Sequence, residues 1–392
     1  MAGRAYILPV IVFAQFCCTS LWFAGNAVLN DLILSLNLPL TVLGYITAAV
    51  QLGFIAGTLF FAVLSVADRF SPSRVFFFCA LAGGFLNLGT ALENNSFETL
   101  GFLRFLTGFS LAGIYPVGMK IAADHFEKGL GKSLGFLVGA LVLGTAFPHL
   151  LRFITGSIVL PWKAVIISTS ILSLLGGSLI LIIVPDGPYR KRLQNIRFGV
   201  LGDLFKISDF RRAASGYFGH MWELYAYWAF APVFLIAYYG YHGLQENDIS
   251  LWSFLIIATG GIGCVAGGYL SGKFGTKKSA ATALFLSGLC CLLSPFFFLQ
   301  DSLEVLLIFL VFWGFTVVAD SPLFSTLVAQ NSPANWRGTA LTIVNSIGFA
   351  ITILSILLLN LLLAKGFPPA YLFLLLLPGP ILGLLGLYGG RK

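Results

Sequence analysis

Twelve apolar runs, each long enough to cross a bilayer, follow one another along the chain, and no other feature limits its fold so tightly. A bilayer core about 30 Å thick needs roughly 20 apolar residues per helix. Runs near residues 6 to 29, 41 to 67, 74 to 93, 97 to 124, 133 to 156 and 160 to 184 meet that length. After a polar break they resume near 213 to 240, 250 to 272, 278 to 299, 302 to 329, 338 to 363 and 369 to 388. Composition agrees: 10% of residues are charged, against roughly a quarter in soluble domains. The expectation is an all-α integral membrane protein of twelve transmembrane helices, six before the break and six after it. The first run follows Met1–Arg4 like a signal peptide, but it is long and lacks a small-residue cleavage site, so it is read as the first span.

The break, Pro185 to Arg212, carries Arg190, Lys191, Arg192, Arg197, Lys206, Arg211 and Arg212 and is the one long polar stretch. The domain reading is therefore residues 1–184, a cytoplasmic linker at 185–212, and residues 213–392. With the N-terminus in the cytoplasm, 19 of the 23 Lys and Arg residues fall on that side, leaving Arg104, Arg152, Lys163 and Lys365 elsewhere. This bias sets the orientation, with both termini inside. The opposite loops carry acids: Asp31, Glu93, Glu98, Glu246, Asp248, Asp301 and Glu304. A net charge of +8 spread through short loops is not the clustered basic face that nucleic acid requires. The six cysteines lie inside apolar runs without C-x-x-C spacing, so they read as packing residues. No metal site or cofactor is expected.

One short loop occurs twice. Leu64-Ser-Val-Ala-Asp68-Arg69-Phe70-Ser71-Pro-Ser-Arg74 follows the second run, and Gly268-Tyr-Leu-Ser-Gly272-Lys273-Phe274-Gly275-Thr-Lys277-Lys278 follows the eighth, with Asp68 and Gly272 204 residues apart. The first spans of each half also match, Trp22 and Trp228 being offset by 206. The chain thus reads as two similar halves.

These loops resemble the signature that the major facilitator superfamily carries between its second and third helices, G-x-x-x-D-R-x-G-R-[RK]. The first copy keeps Asp68 and Arg69, and the second keeps Gly268, Gly275, Lys277 and Lys278. The resemblance implies two six-helix bundles around a central cavity, working by alternating access. It also implies that Asp68, Arg69, Arg74, Lys273, Lys277 and Lys278 form a cytoplasmic gate. Arg104-Phe-Leu-Thr107-Gly108 on the fourth span is similar to the superfamily's second signature. An arginine inside a span is costly and usually faces a polar cavity, so Arg104 is the first candidate for binding solute. Gly135, Gly139, Gly144 and Pro148 on the fifth span only loosely follow the antiporter signature and suit close helix packing.

Two acids stand isolated inside spans, Glu223 and Asp320. A carboxylate in a membrane must pair, reach water or bind a proton, which makes each a candidate for proton coupling. His220 and Tyr227 share a helix face with Glu223. The first half instead contributes Arg104, His149 and Arg152, so one half could hold an anionic group while the other handles protons. Trp22, Asn26, Tyr115, Tyr227 and Asn345 complete the expected solute site, on spans that line the cavity in the family.

No phosphate loop, zinc spacing or G-x-S-x-G elbow is present, so an enzyme or an ATP-driven pump is not expected. The expected activity is proton-coupled secondary transport of a small anionic solute or anionic metal chelate across a bacterial inner membrane, by a monomer. Ala112-Gly-Ile-Tyr-Pro116 and Gly219-His-Met-Trp-Glu-Leu-Tyr-Ala226 resemble bacterial members grouped with nitrate/nitrite carriers, although the glycine-rich nitrate signatures of spans five and eleven are absent. The alternatives are a proton-antiport exporter of drugs or siderophores and, further off, a non-transporting membrane sensor.

Overall fold

The computed structural model describes residues 6–39, 41–126, 130–190, 201–333 and 336–389, with side chains for all of these but 130–132. Lys191, Arg192 and Arg197 of the expected linker lie outside the described residues, as do Arg391 and Lys392. The described residues contain helices and no strand. They divide into two compact units, Met1–Asn195 and Ile196–Lys392.

The first unit holds six spans. The first runs from Ile7–Thr19 through the short pieces Ala24–Ala27 and Leu29–Leu36; the second is Val42–Val63 and the third Pro72–Gly89. The fourth comprises Phe97–Ala112 and Tyr115–His125, the fifth Leu130–Ser157 and the sixth Lys163–Ile183. The second unit repeats the plan with Ser208–Tyr241, Ile249–Phe274, Thr276–Phe298, Leu303–Ala319 with Ser321–Gln330, Arg337–Ala364, and a twelfth span made of the 3-10 turn Pro369–Leu376 and Pro378–Tyr388. Among the described residues nine of these spans are long and apolar enough to cross a membrane on that ground alone. The first span is split, the third carries Arg74 and Asn87 within its 18 residues, and the seventh carries His220 and Glu223 among its tyrosines.

Besides the twelfth, three spans expected as single helices are interrupted. The first breaks at Ser20–Phe23, the fourth at Gly113–Ile114 and the tenth at Asp320. Pro116 and Pro322 lie in the first turn of the second half of the fourth and tenth spans, where a missing N–H is tolerated and the preceding helix cannot continue. The seventh span starts at Ser208, earlier than its apolar run, because hydropathy marks where lipid contact ends and not where helical hydrogen bonding ends.

The repeat is visible in the packing. A Cβ on Gly108 would lie 2.0 Å from the Val50 carbonyl oxygen, and one on Gly314 would lie 1.9 Å from that of Ile256. Gly57 meets Phe109 O at 2.5 Å in the same sense, and Gly263 meets Phe315 O at 2.2 Å. Every residue of the second set lies 206 positions after its counterpart. Only glycine allows the second and fourth spans, and the eighth and tenth, to approach backbone to backbone.

Candidate functional site

In the second unit, three interrupted or polar spans bring their charges together. Glu223 on the seventh span is fully buried. One of its carboxylate oxygens accepts a 2.6 Å hydrogen bond from the Trp313 indole N–H of the tenth span. The other accepts a 3.0 Å bond from the Ser287 hydroxyl of the ninth. One turn earlier, His220 Nδ1 lies 2.8 Å from Asp320 Oδ1, with both side chains buried. Asp320 occupies the break of the tenth span, so the interruption sets the acid against the seventh helix. The contact joins a ring nitrogen to a carboxylate oxygen inside the membrane span, and the second carboxylate oxygen of Asp320 and His220 Nε2 have no hydrogen-bond partner. Tyr227 stacks on Trp313 with ring centroids 4.4 Å apart and donates to the Leu310 carbonyl at 2.7 Å. Trp313 is thereby fixed from both sides, by a carboxylate on its edge and a phenol on its face.

In the first unit the buried charge is Arg104. Its guanidinium donates to the Leu21 carbonyl at 3.1 Å, to the Asn87 Oδ1 at 3.2 Å and to the Trp22 carbonyl. Leu21 and Trp22 lie in the break of the first span, whose carbonyls have lost their helical donors. Arg104 supplies them. Its Nε has no partner and faces Gly25, where a Cβ would stand 3.5 Å away. Asn87 is itself held by the Ile166 carbonyl and the hydroxyls of Thr169 and Ser170. No acidic side chain among the described residues pairs with Arg104.

Around this peg, Trp22 packs on Phe54 at 4.9 Å and Asn26 donates to Thr47 Oγ1 at 2.8 Å. Gln51 lies between Thr47 and Phe54 on the same face of the second span, buried with neither amide atom bonded. Tyr115 opens the second half of the fourth span and is half-buried. His149 is buried with Nε2 unbonded. Arg152 makes a two-pronged contact with Asp31, at 2.9 and 3.0 Å. In the second unit Asn345 is half-buried on the eleventh span. The expected residues thus form two groups, one in each unit.

The repeated loops differ. Asp68 pairs with Lys120 of the fourth span at 2.9 Å, and its carbonyl accepts from Arg190 at 3.0 Å. Arg190 also bonds the Phe70 carbonyl and pairs with Asp186, which accepts from Ser71 at 2.6 Å. Arg69 and Arg74 are exposed. In the second loop Lys273 lies over the Phe274 ring at 5.3 Å and Lys277 over Tyr388 at 4.8 Å. Lys278 is exposed.

The sequence reading passed over Lys120, Asn87, Ser287, Gln51 and the pairing of His220 with Asp320. Asn87 and Gln51, each a lone amide inside an apolar run, were the available signals. Glu93, in an exposed loop, is held below the usual carboxylate range by its hydrogen bond to Lys163, at 2.6 Å.

Two repeated six-span units, each with a broken fourth span and a buried ionic group, define a polytopic carrier. The chain belongs to the major facilitator superfamily, whose model matches residues 11–387. It is a multi-pass membrane transporter and not an enzyme, and members of this superfamily move small-molecule solutes across the lipid bilayer. Its fold is similar to that of a bacterial homolog of the human lysosomal transporter Spinster. In the inward-facing, unoccupied form the TM-score is 0.71 at 14% identity, over 99% of this chain and 95% of that one. The occupied form gives 0.72 at 16%, over 99% and 96%. A mutant of the nucleoside transporter NupG gives 0.72 at 13%, over 98% and 99%. No curated protein matches the sequence.

Proposed function

We propose that the protein is a proton-coupled secondary transporter of a small anionic solute or anionic chelate, working by alternating access in a bacterial inner membrane with both termini cytoplasmic. The observation that carries the coupling is the buried cluster of the second unit. His220–Asp320 can hold or release one proton, and Glu223, one helical turn away, offers a second site fixed by Trp313 and Ser287. Carboxylates buried in a span are costly unless they serve a proton path. Both lie at or beside a broken helix, where a change of protonation can bias a change of shape.

The anionic reading rests on Arg104. Carbonyl and amide acceptors bond its terminal nitrogens but leave Nε unpartnered and its charge uncompensated, and that field favours an anion nearby. Trp22, Asn26, Tyr115, His149, Arg152, Tyr227 and Asn345 are proposed to complete the solute path, with Arg104 ordering the wall. Asp68, Arg69, Arg74, Lys273, Lys277 and Lys278 are proposed as the gate, in which Lys120 joins Asp68.

Proteoliposome uptake under imposed pH gradients, across a panel of anions and neutral solutes, tests both parts. Glu223→Gln and Asp320→Asn should each abolish proton-driven accumulation, a loss of at least about a hundredfold, while counterflow exchange continues. Unchanged accumulation in both variants overturns coupling through this cluster. Accumulation of neutral solutes with no competition by any anion overturns the anionic reading.

A further inference from the structure

The second unit contains a cavity at its copy of the repeated loop, two of whose lysines also belong to the proposed gate. It has a volume of about 550 Å³ and lies where ends of the seventh, eighth, ninth, tenth and twelfth spans meet, on the side of the linker. Arg212, Thr276, Lys277, Lys278, Gln330 and Tyr388 line it. Three of these six carry positive charge and none is acidic. Asp209 pairs with Arg212 of the lining at 2.8 Å. Arg212 is also fixed by the Gly389 carbonyl at 3.0 Å, and Lys277 by the Tyr388 ring at 4.8 Å, so two of the cations are held in place. Among the described residues no carboxylate lies within ion-pair distance of Lys277 or Lys278.

The ninth span begins in this cavity. Its N-cap, Gly275, is left-handed with φ +88°, and no side chain caps the helix. The first-turn N–H groups of a 23-residue helix are therefore available beside three cations. The recess of the first unit, about 470 Å³, has an acid in its lining, Asp186, which pairs with Arg190 at 2.7 Å. Phe274 of the eighth span and Tyr388 of the twelfth line the cavity and are more than half exposed, and Tyr269, Leu270 and Leu385 are exposed further along the same two spans.

We infer that this cavity binds the phosphate group of an anionic phospholipid, with the headgroup between Arg212, Lys277 and Lys278 and the acyl chains along the exposed apolar residues of the eighth and twelfth spans. A basic recess open to lipid at the end of a helix bundle has the chemistry for such a headgroup. Free phosphate offers the same group without the chains, and the apolar flanks favour the lipid. The site is independent of which solute the protein carries and of whether protons drive it.

The test is equilibrium binding of labelled phosphatidylglycerol to the detergent-solubilised full-length protein, with phosphatidylcholine and inorganic phosphate as unlabelled competitors. The double variant Lys277→Gln, Lys278→Gln should bind about thirtyfold more weakly, from about a factor of five per lysine. Lys277→Arg with Lys278→Arg should restore binding, and Lys206→Gln, which removes an equal charge outside the cavity, should leave it unchanged. Phosphatidylcholine should not compete. Equal affinity in wild type and the double glutamine variant, or equal loss in Lys206→Gln, overturns the site. Competition by inorganic phosphate at the potency of unlabelled phosphatidylglycerol overturns the lipid assignment.

Discussion

The two units solve one packing problem in opposite directions. In the first, a side chain of the fourth span, Arg104, donates to the backbone of the first span at Leu21 and Trp22. In the second, a side chain of the seventh span, Tyr227, donates to the backbone of the tenth at Leu310. Leu310 stands 206 residues after Arg104, and Tyr227 stands 206 after Leu21. The contact is the same and the donor has changed sides. A neutral phenol suffices where the seventh helix is continuous, whereas a guanidinium is needed where the first helix is broken and presents several unpaired carbonyls.

Removing each tie should separate these roles. Arg104→Met should cost about 3–5 kcal/mol, because it leaves the acceptors at Leu21, Trp22 and Asn87 without donors in the membrane interior. Thermal unfolding of the purified protein would register this as loss of most of its stability, and a shift comparable to that of Tyr227→Phe would break the comparison. Tyr227→Phe gives up one neutral hydrogen bond and keeps the stack on Trp313, for about 1 kcal/mol. Asp68→Asn opens the part-exposed pair with Lys120 and should cost less than about 1 kcal/mol.

The smallest effect belongs to Glu93. Its folded carboxylate is held below the ordinary range by Lys163, so the pair's contribution is present above the unfolded value and lost as pH falls through the lower folded value. Glu93→Gln should therefore change stability only slightly at neutral pH and remove a weak acid-side dependence between those two values. A larger dependence at neutral pH in the variant would contradict that sign.

Much of the fold was legible because lipid makes length and hydropathy decisive: the twelve spans, the repeat and the isolated acids all follow from them. The breaks were not, because hydropathy does not register a loss of helical hydrogen bonding inside an apolar run. Pro116 and Pro322 marked two of them, while Ser20–Phe23 carries no proline. The partners of the buried charges were also hidden. Asp68 was expected in a gate with bases of both loops, and its contact with Lys120 of the fourth span was passed over, because helix rotation decides which cation a carboxylate reaches. His220 was noted on the Glu223 face, but its contact with Asp320 depends on the kink that turns the tenth span.

Pro116 and Pro322 are 206 residues apart, and so are Ile114 and Asp320. Both units interrupt the same span at the same place, yet only one has an acid there. Ala14 and Cys17 stand likewise in the positions of His220 and Glu223. The interruption is common to both copies, whereas the ionic cluster is the property of one. In this protein the two copies share an architecture and divide their chemistry, so the bend of this span does not depend on the acid that one copy places there.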